Sequence, residues 1–260
     1  MFEELSDGVF RRRFESLELN IGVVMAEHGV VVIDTRATHD EAEELRDELR
    51  TLTSLPVRWV IDTHWHWDHT FGNARFPEAE IWGHDLCRKN MLQRGETMKD
   101  DAAAWFPERR LEFEAVEITP PTKVVSDTAQ IDLGSKRVMM SYHGLGHTDA
   151  DLVVSVGEVS FMGDLLEGGA PPVFADGYPM SWPGTLRSAL GTAASLHVPG
   201  HGDTMDRAAA HSQLDEIEAV AALARRCVEE GLPVPDASRL GPYPEHVMTS
   251  ALERALAVRL

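Results

Sequence analysis

The chain has 260 residues, which is enough for one sizeable hydrophobic core or two small ones. Its apolar content of 43% is that of a soluble globular protein, and no apolar run approaches the ~20 residues that span a bilayer. The net charge of −19 repels polyanions and therefore disfavours nucleases and other nucleic-acid-binding proteins. A signal-peptide pattern is missing, and two cysteines suit a reducing compartment. We therefore expect a cytoplasmic protein that acts on a small molecule, with no membrane partner.

The first half of the chain predicts strands with one amphipathic helix between them. Residues 18–34 contain two β-rich runs joined at Glu27-His28-Gly29, which indicates a hairpin. Residues 39–52 place apolar side chains at helical spacing and charges elsewhere, which predicts a helix with one buried face. Further strands are predicted at Val57–Ile61 and 79–84, the second followed by a helix to about Lys99.

The second half predicts a run of strands and then helices. Residues 123–162 contain five β-like segments separated by Asp, Gly and Ser turns, and a short strand follows at 196–198. A long helix is predicted over 206–230, with Cys227 on its apolar face and Gly231 at its end. A shorter helix is expected near 244–258.

This order of elements predicts an α+β fold in which two β-sheets are flanked by helices. An amphipathic helix must bury its apolar face on a sheet, so the elements should form layers. No linker or internal repeat interrupts the chain. We therefore predict a single domain over 1–260, with 206–260 as its C-terminal helical part.

Four metal-capable side chains occur within residues 61–73, IDTHWHWDHTFGN, directly behind a predicted strand. They are His64, His66, Asp68 and His69. If the backbone remains extended after Asp62, side-chain alternation places the first three on one side and leaves the fourth for a different position. The same alternation turns Trp65 and Trp67 away from the ligands, to anchor the loop or wall the entrance. Imidazoles and a carboxylate are suitable ligands for zinc or a similar first-row ion.

Three more candidate ligands follow predicted strands and a glycine elsewhere in the chain. They are His147 in GLGHTDAD, Asp164 in SFMGDLL and His201 in VPGHGD. Glycine lets the backbone approach a buried site closely, although each residue alone would be an ordinary turn residue. Together the seven ligands suit two divalent cations that share a carboxylate. We expect zinc, with iron or manganese as alternatives.

The order H-x-H-x-D-H, G-H-T, G-D and P-G-H-G, over roughly residues 20–205, resembles the metallo-β-lactamase-fold hydrolase superfamily. The resemblance implies an αβ/βα four-layer sandwich with the metal site at one edge between the sheets. It implies one cation on His64, His66 and His147, a second on Asp68, His69 and His201, and Asp164 as the bridge. It also implies hydrolysis by a hydroxide that bridges the two metals, with Asp68 orienting that hydroxide as the catalytic residue.

Differences from the lactamase members indicate which branch of the family the chain resembles. One lactamase type has a cysteine ligand between the positions of His147 and His201, and this chain has none there. The histidine-rich lactamases lack the bridging aspartate that Asp164 supplies. The chain is thus more similar to glyoxalase II and acyl-homoserine lactonases, which implies cleavage of an ester, thioester or lactone. Phe71 replaces a glycine that the family often has, and its bulk is expected to narrow the pocket.

Three other functions remain open from the sequence. A persulfide dioxygenase uses the same scaffold with a single iron on two histidines and an aspartate. A β-lactamase-like amide hydrolase is the second alternative, and a non-catalytic metal-binding protein is the third. The oligomeric state is also open, with a homo-oligomer among the options.

Supporting residues are predicted around the ligands. Asp34, Asp62 and Thr148 are candidates to fix the imidazole tautomers, although the two aspartates suit loop caps equally well. The loop 171–184 is predicted to be a lid over an apolar group, or else a connector whose aromatic side chains fill the edge of the core. The predicted substrate pocket consists of Asn73, His84, Phe174, Tyr178 and Trp182.

Overall fold

Two β-sheets lie face to face in the computed structural model, which describes residues 1–258. The first sheet has seven strands in chain order: β1 (Glu3–Ser6), β2 (Val9–Arg13), β3 (Asn20–Ala26), β4 (Gly29–Ile33), β5 (Val57–Ile61), β6 (Glu80–His84) and β7 (Lys123–Val125). Strands β1 to β4 pair antiparallel, and β4 to β7 pair parallel. The carboxyl ends of the parallel strands therefore meet at one edge, where loops can carry functional side chains.

The second sheet has six strands in the spatial order β13-β12-β11-β10-β9-β8. They are β8 (Thr128–Asp132), β9 (Arg137–Tyr142), β10 (Leu152–Val156), β11 (Val159–Gly168), β12 (Leu196–Gly202) and β13 (Met205–Asp206). All neighbours pair antiparallel except β11 and β12, which are parallel. The register of that parallel pair shifts between Gly163 and Glu167, so side-chain alternation is interrupted there.

Eight α-helices cover the sheets within the described residues. They are α1 (His39–Leu52), α2 (Trp67–Thr70), α3 (Asp85–Trp105), α4 (Arg110–Glu114), α5 (Trp182–Leu190), α6 (Arg207–Glu229), α7 (Val234–Ser238) and α8 (Glu245–Ala257). Helix α1 begins at Thr38, whose hydroxyl accepts a hydrogen bond from Glu41 N. None of these helices is long and apolar enough to cross a membrane.

Burial of apolar side chains explains the layering. One cluster contains residues of both sheets, among them Ile33 and Ile61 from the first and Met140 and Val154 from the second. The outer face of the first sheet packs on α1, and that of the second packs on α5, α6 and α8. Each amphipathic helix thus covers one sheet, which confirms the predicted α+β sandwich of two sheets flanked by helices.

Most predicted elements occur in the structure, and the differences have local causes. Helix α1 and strand β5 have the predicted bounds, whereas α3 continues past Lys99 to Trp105. Strands β1 and β2 were not predicted, since both are short and largely polar, and β1 lies at the edge of the sheet. Strand β12 extends beyond the predicted 196–198 because its C-terminal part pairs with β11. Cys227 is buried in the core cluster under α6, as predicted.

Candidate metal centre

The seven predicted ligands converge at one edge of the sandwich, although they come from five separate segments. The connection after β5 supplies His64 and His66, α2 supplies Asp68 and His69, the β9–β10 loop supplies His147, β11 supplies Asp164, and β12 supplies His201. Hydrogen bonds between the sheets fix this edge. Asn20 donates to the carbonyls of Pro199 and Gly202 (2.9 Å each), and Leu152 N donates to Thr63 O (2.7 Å).

The backbone after β5 does not stay extended, in contrast to the expectation from the sequence. His66 is the last extended residue (φ −67°, ψ 151°), and α2 begins at Trp67. The amides of His69 and Thr70 donate to His66 O, which closes a single helical turn. The turn brings Asp68 and His69 into one ligand group with His201, whereas a continuing strand would have pointed them to opposite sides.

Three imidazoles form the first ligand group. Nδ1 of His66 lies 3.1 Å from Nε2 of His64 and 2.9 Å from Nε2 of His147. Ligand nitrogens of a tetrahedral zinc site, each about 2.0–2.1 Å from the ion, are roughly 3.3 Å apart. The observed separations therefore fit one cation shared by the three rings.

Asp68, His69 and His201 form the second group. The Nε2 atoms of His69 and His201 are 3.2 Å apart, and Oδ2 of Asp68 lies 3.2 Å from the His201 nitrogen and 3.6 Å from that of His69. Two nitrogens and one carboxylate oxygen are again a suitable ligand set for a first-row divalent cation.

Asp164 contacts both groups. Its Oδ1 lies 3.2 Å from Nε2 of His69, and its Oδ2 lies 3.5 Å from Nε2 of His147. Within residues 1–258 the buried Oδ1 atom has no hydrogen-bond partner of good geometry. Buried carboxylate oxygens are normally paired, so this atom fits a position that a cation would satisfy. A Cβ on Gly200 would lie only 1.9 Å from Oδ1, so this arrangement requires glycine there.

The two groups differ electrostatically. Burial lowers the pKa of His64 well below its ordinary value and lowers that of His147 to about 4, so both rings are neutral and ready to bind a cation. Burial also acts to lower the pKa of His69 and His201, but the carboxylates of Asp164 and Asp68 outweigh it and raise both values. Without a cation, the second group therefore holds protons.

Four of the five imidazoles have a hydrogen-bond partner for their other ring nitrogen, and the fifth, His66, has a nearby carboxylate. His69 Nδ1 lies 2.8 Å from Asp34 Oδ2, as expected from the sequence. The other three hydrogen bonds are His64 Nδ1 with Thr63 Oγ1 (3.1 Å), His147 Nδ1 with Val173 O (3.1 Å) and His201 Nδ1 with Leu17 O (2.8 Å). His66 Nε2 lies 3.4 Å from Asp176 Oδ2 but makes no hydrogen bond of good geometry within residues 1–258. Such partners fix the ring orientation and the tautomer that presents a lone pair to a metal.

Two predicted supporting residues have other roles. Asp62 accepts a hydrogen bond from Asn73 Nδ2 (2.8 Å) and contacts no imidazole ligand directly. Thr148 donates to Asp151 through both its amide (2.8 Å) and its hydroxyl (2.5 Å), which closes the turn after His147. These residues hold the loops that carry the ligands rather than the rings themselves.

A cavity of about 830 Å³ opens over the two ligand groups. One wall is apolar and consists of Trp65, Trp67, Met98 and Trp105. Trp65 and Trp67 thus line the cavity, whereas strand alternation placed them facing away from the ligands. Trp67 is anchored by edge contacts with Phe106 and Phe113, and Arg94 lies 4.3 Å above the Trp65 ring. The cavity has the size and the mixed lining of a small-molecule site.

The five side chains predicted for the substrate pocket do not line this cavity, and that prediction is corrected. Asn73 is buried and also donates to Thr119 O (3.0 Å). His84 stacks on Tyr142 (4.1 Å between ring centroids) and accepts a hydrogen bond from Leu86 N, which caps α3. Phe71 is buried beneath α3, so its bulk does not narrow the cavity either.

The loop 171–184 turns its aromatic side chains inward. Phe174 and Trp182 are buried in the core under the second sheet, with ring centroids 5.2 Å apart, and the Tyr178 ring packs against Arg254 (5.6 Å). The connector alternative is therefore correct for these aromatic residues. Small and polar residues of the same loop, including Asp176, face the cavity instead.

Asp176 and Glu167 are two of the acidic residues at the cavity that were not predicted from the sequence. Asp176 lies in an irregular loop, and no periodic pattern marks it. Glu167 follows Asp164 by three positions, so strict alternation would place the two side chains on opposite faces of β11. The register shift between Gly163 and Glu167 lets both reach the cavity. The sequence signal that could have identified Glu167 is an acidic side chain near the end of an apolar strand.

Comparisons with known proteins agree with this geometry. The family model described as the metallo-beta-lactamase superfamily matches residues 19–218. No curated protein matches the sequence. Among solved structures, a metallo-beta-lactamase from Pontibacter korlensis is 20% identical with a TM-score of 0.64, over 84% of this chain and 98% of that one.

A second solved structure, the metallo-beta-lactamase FIM-1 from Pseudomonas aeruginosa, is 17% identical with a TM-score of 0.67, over 85% of this chain and 96% of that one. Identities this low establish the shared fold alone. The family model, in contrast, covers the segments that carry all seven candidate ligands. The chain therefore belongs to the metallo-β-lactamase superfamily.

Proposed function

We propose that the protein is a binuclear metal-dependent hydrolase that cleaves an ester, thioester or lactone bond of a small molecule. The observation that carries the proposal is the pair of ligand groups joined through Asp164 beside the cavity. Family membership supports it, because metal-dependent hydrolysis is common in this superfamily.

In this proposal His64, His66 and His147 hold one cation, Asp68, His69 and His201 hold the other, and Asp164 contacts both. Zinc suits the nitrogen-rich first group best, with iron or manganese as alternatives. Two bound divalent cations would supply a hydroxide nucleophile at neutral pH and polarise the substrate carbonyl.

Asp68 is the proposed catalytic residue of the chain itself. One of its oxygens, Oδ2, contacts His201, and the side chain lines the cavity. Its other oxygen is therefore available to accept a hydrogen bond from the attacking water and to orient it toward the substrate carbonyl. Orientation of this kind lowers the entropic cost of the attack.

The leaving group favours esters, thioesters and lactones over amides. An amide nitrogen must be protonated before it leaves, whereas a thiolate or an alkoxide needs less assistance. Asp164 as a bridging carboxylate, and the missing cysteine between His147 and His201, also resemble lactonases and glyoxalase II more than lactamases. The apolar wall that includes Trp65 and Trp105 suits an acyl or aromatic group.

Metal content distinguishes this activity from that of an iron dioxygenase. A mononuclear iron dioxygenase would need only two histidines and one aspartate, and the separate group around His201 favours two cations. Protein purified without chelator is expected to contain about two zinc ions per chain and to consume no oxygen with thiol substrates. One iron per chain with thiol-dependent oxygen uptake would instead assign the dioxygenase activity.

The substrate class is tested with a panel of esters, thioesters, lactones and β-lactams on protein of verified metal content. Turnover of esters, thioesters or lactones well above that of β-lactams is the expected result. Preferred β-lactam cleavage would favour the amide hydrolase, and no turnover at all would favour a non-catalytic metal-binding protein.

The proposal treats residues 1–260 as one domain. The segment 206–260 supports this view, because α6 and α8 share a core cluster with β11. The free, buried cysteines Cys87 and Cys227 suit a reducing compartment, and we propose that the protein acts in the cytoplasm. The net charge of −19 favours a small-molecule substrate over nucleic acid.

A further inference from the structure

Glu167 is a buried carboxylate that the proposed hydrolytic centre does not yet use. The residue is only 5% exposed, and what remains accessible faces the cavity. One of its oxygens, a carboxylate oxygen of Asp164 and a ring nitrogen of His201 all lie within 4.8 Å of one another. No hydrogen bond to this carboxylate is found among residues 1–258. The protein therefore directs an unpartnered carboxyl group at the second ligand group.

The backbone of Glu167 is held from both sides, so the point from which its side chain starts is fixed. Gln213 of α6 accepts a hydrogen bond from Glu167 N (2.8 Å) and donates one to Glu167 O (2.9 Å). Gln213 is itself buried, and Glu167 is paired with His201 across β11 and β12. The buried Gln213 amide thus keeps the Glu167 backbone beside the second ligand group.

The surroundings of the Glu167 carboxyl favour a bound cation. A buried carboxylate without a donor is costly, and the adjacent Asp164 carboxylate repels it. Burial and Asp164 raise the pKa of Glu167 to about 8, which reflects the same cost. A divalent cation between Asp164, Glu167 and His201 would relieve both the burial cost and the repulsion.

We propose that Glu167 is a further ligand of the second cation. That site then has carboxylate oxygens from Asp68, Asp164 and Glu167 and only two imidazoles, whereas the first has three imidazoles. Carboxylates suit harder ions such as manganese, and imidazoles suit zinc. The two sites are therefore expected to differ in preference, with zinc in the first and manganese accepted readily in the second. This inference rests on the proposed binuclear centre but not on its hydrolytic activity.

The test is titration calorimetry of the full-length chain, stripped with chelator and reloaded with one equivalent of zinc, against manganese chloride. Metal content after dialysis provides a second readout. Glu167→Gln keeps the size of the side chain and removes its charge, and is expected to weaken manganese binding at least tenfold. Zinc binding at the first site should change less than twofold.

Two more variants separate ligation from a general effect of charge. Glu167→Asp keeps the charge but shortens the reach, so direct ligation predicts a loss similar to that of Glu167→Gln. Glu158→Gln makes the same change of charge on an exposed residue at the turn before β11 and should bind manganese like the wild type. Circular dichroism verifies that each variant is folded, and Glu167→Asp decides the question if Glu167→Gln does not fold.

Manganese binding within twofold of wild type in Glu167→Gln or in Glu167→Asp would overturn the proposal. The results distinguish a failure of the hydrolase proposal from a failure of this one. If the wild type hydrolyses no substrate but Glu167→Gln loses manganese, only the activity is wrong. If the wild type hydrolyses esters and Glu167→Gln binds manganese normally, only the role of Glu167 is wrong.

Discussion

The Oδ2 atom of Asp34 lies 2.8 Å from Nδ1 of His69, and this contact links the end of β4 to the second ligand group. The backbone of Asp34 has a φ of +64°, a region that non-glycine residues rarely adopt. The same carboxylate accepts hydrogen bonds from the amide and the hydroxyl of Thr63 (2.8 Å each). Three hydrogen bonds thus hold a strained residue against a metal-ligand candidate.

Asp34→Asn should weaken binding of the second cation by about 10- to 100-fold, since loss of a partner behind a ligating histidine typically has this effect. Asparagine tolerates the positive φ, so the backbone should persist. Calorimetric titration of metal-free protein with zinc measures the change. Asp127→Asn, on an exposed residue, serves as the control, and an unchanged second affinity in Asp34→Asn would refute the role of the contact.

Asp68→Ala should lower kcat by several orders of magnitude while the protein remains folded. The physical reason is that the attacking water loses the carboxylate that orients it. Rates are to be measured at saturating metal, with the melting temperature as the check on folding. Asp215→Ala, on the exposed face of α6, should retain wild-type rates. A loss of less than tenfold in Asp68→Ala would argue against the orienting role.

Gly200→Ala should disrupt the bridge between the two ligand groups. Its Cβ would lie 1.9 Å from Oδ1 of Asp164, so either the carboxylate or β12 must move. We expect binding of both cations to weaken at least tenfold, as measured by metal content after dialysis. Gly184→Ala is the matched control, because nothing lies within 4 Å of its added Cβ. Normal metal content in Gly200→Ala would show that the close approach is not required.

Metal binding at the second group should depend more steeply on pH than binding at the first. The pKa values of His69 and His201 are raised above the ordinary value, so near neutral pH these rings must lose protons before a cation binds. His64 and His147, with lowered pKa values, are already neutral. The affinity of the second site should therefore fall as the pH falls, while that of the first changes little.

The protons released on metal binding can be counted by calorimetry in buffers of different ionisation enthalpy. The second equivalent of zinc should release more protons at pH 7 than the first. Equal release by both equivalents would contradict the charge states assigned to the two groups.

The sequence by itself determined the local elements of this protein and the residue types of its candidate metal centre. Helix α1 and strand β5 have the predicted bounds because their periodicity and the Thr38 cap act between near neighbours in the chain. The seven candidate ligands were recognisable because their residue types and spacings are themselves the metal-binding signal.

Only the tertiary structure decided which side chains surround those ligands. The aromatic residues of the loop 171–184 turn to the core because α5, α6 and α8 offer apolar surface there, which local sequence does not encode. Glu167 reaches the cavity through a shift in strand register, and Asp34 reaches His69 through a positive φ. Such contacts join residues far apart in the chain, so they depend on how whole sheets and helices pack rather than on any local pattern.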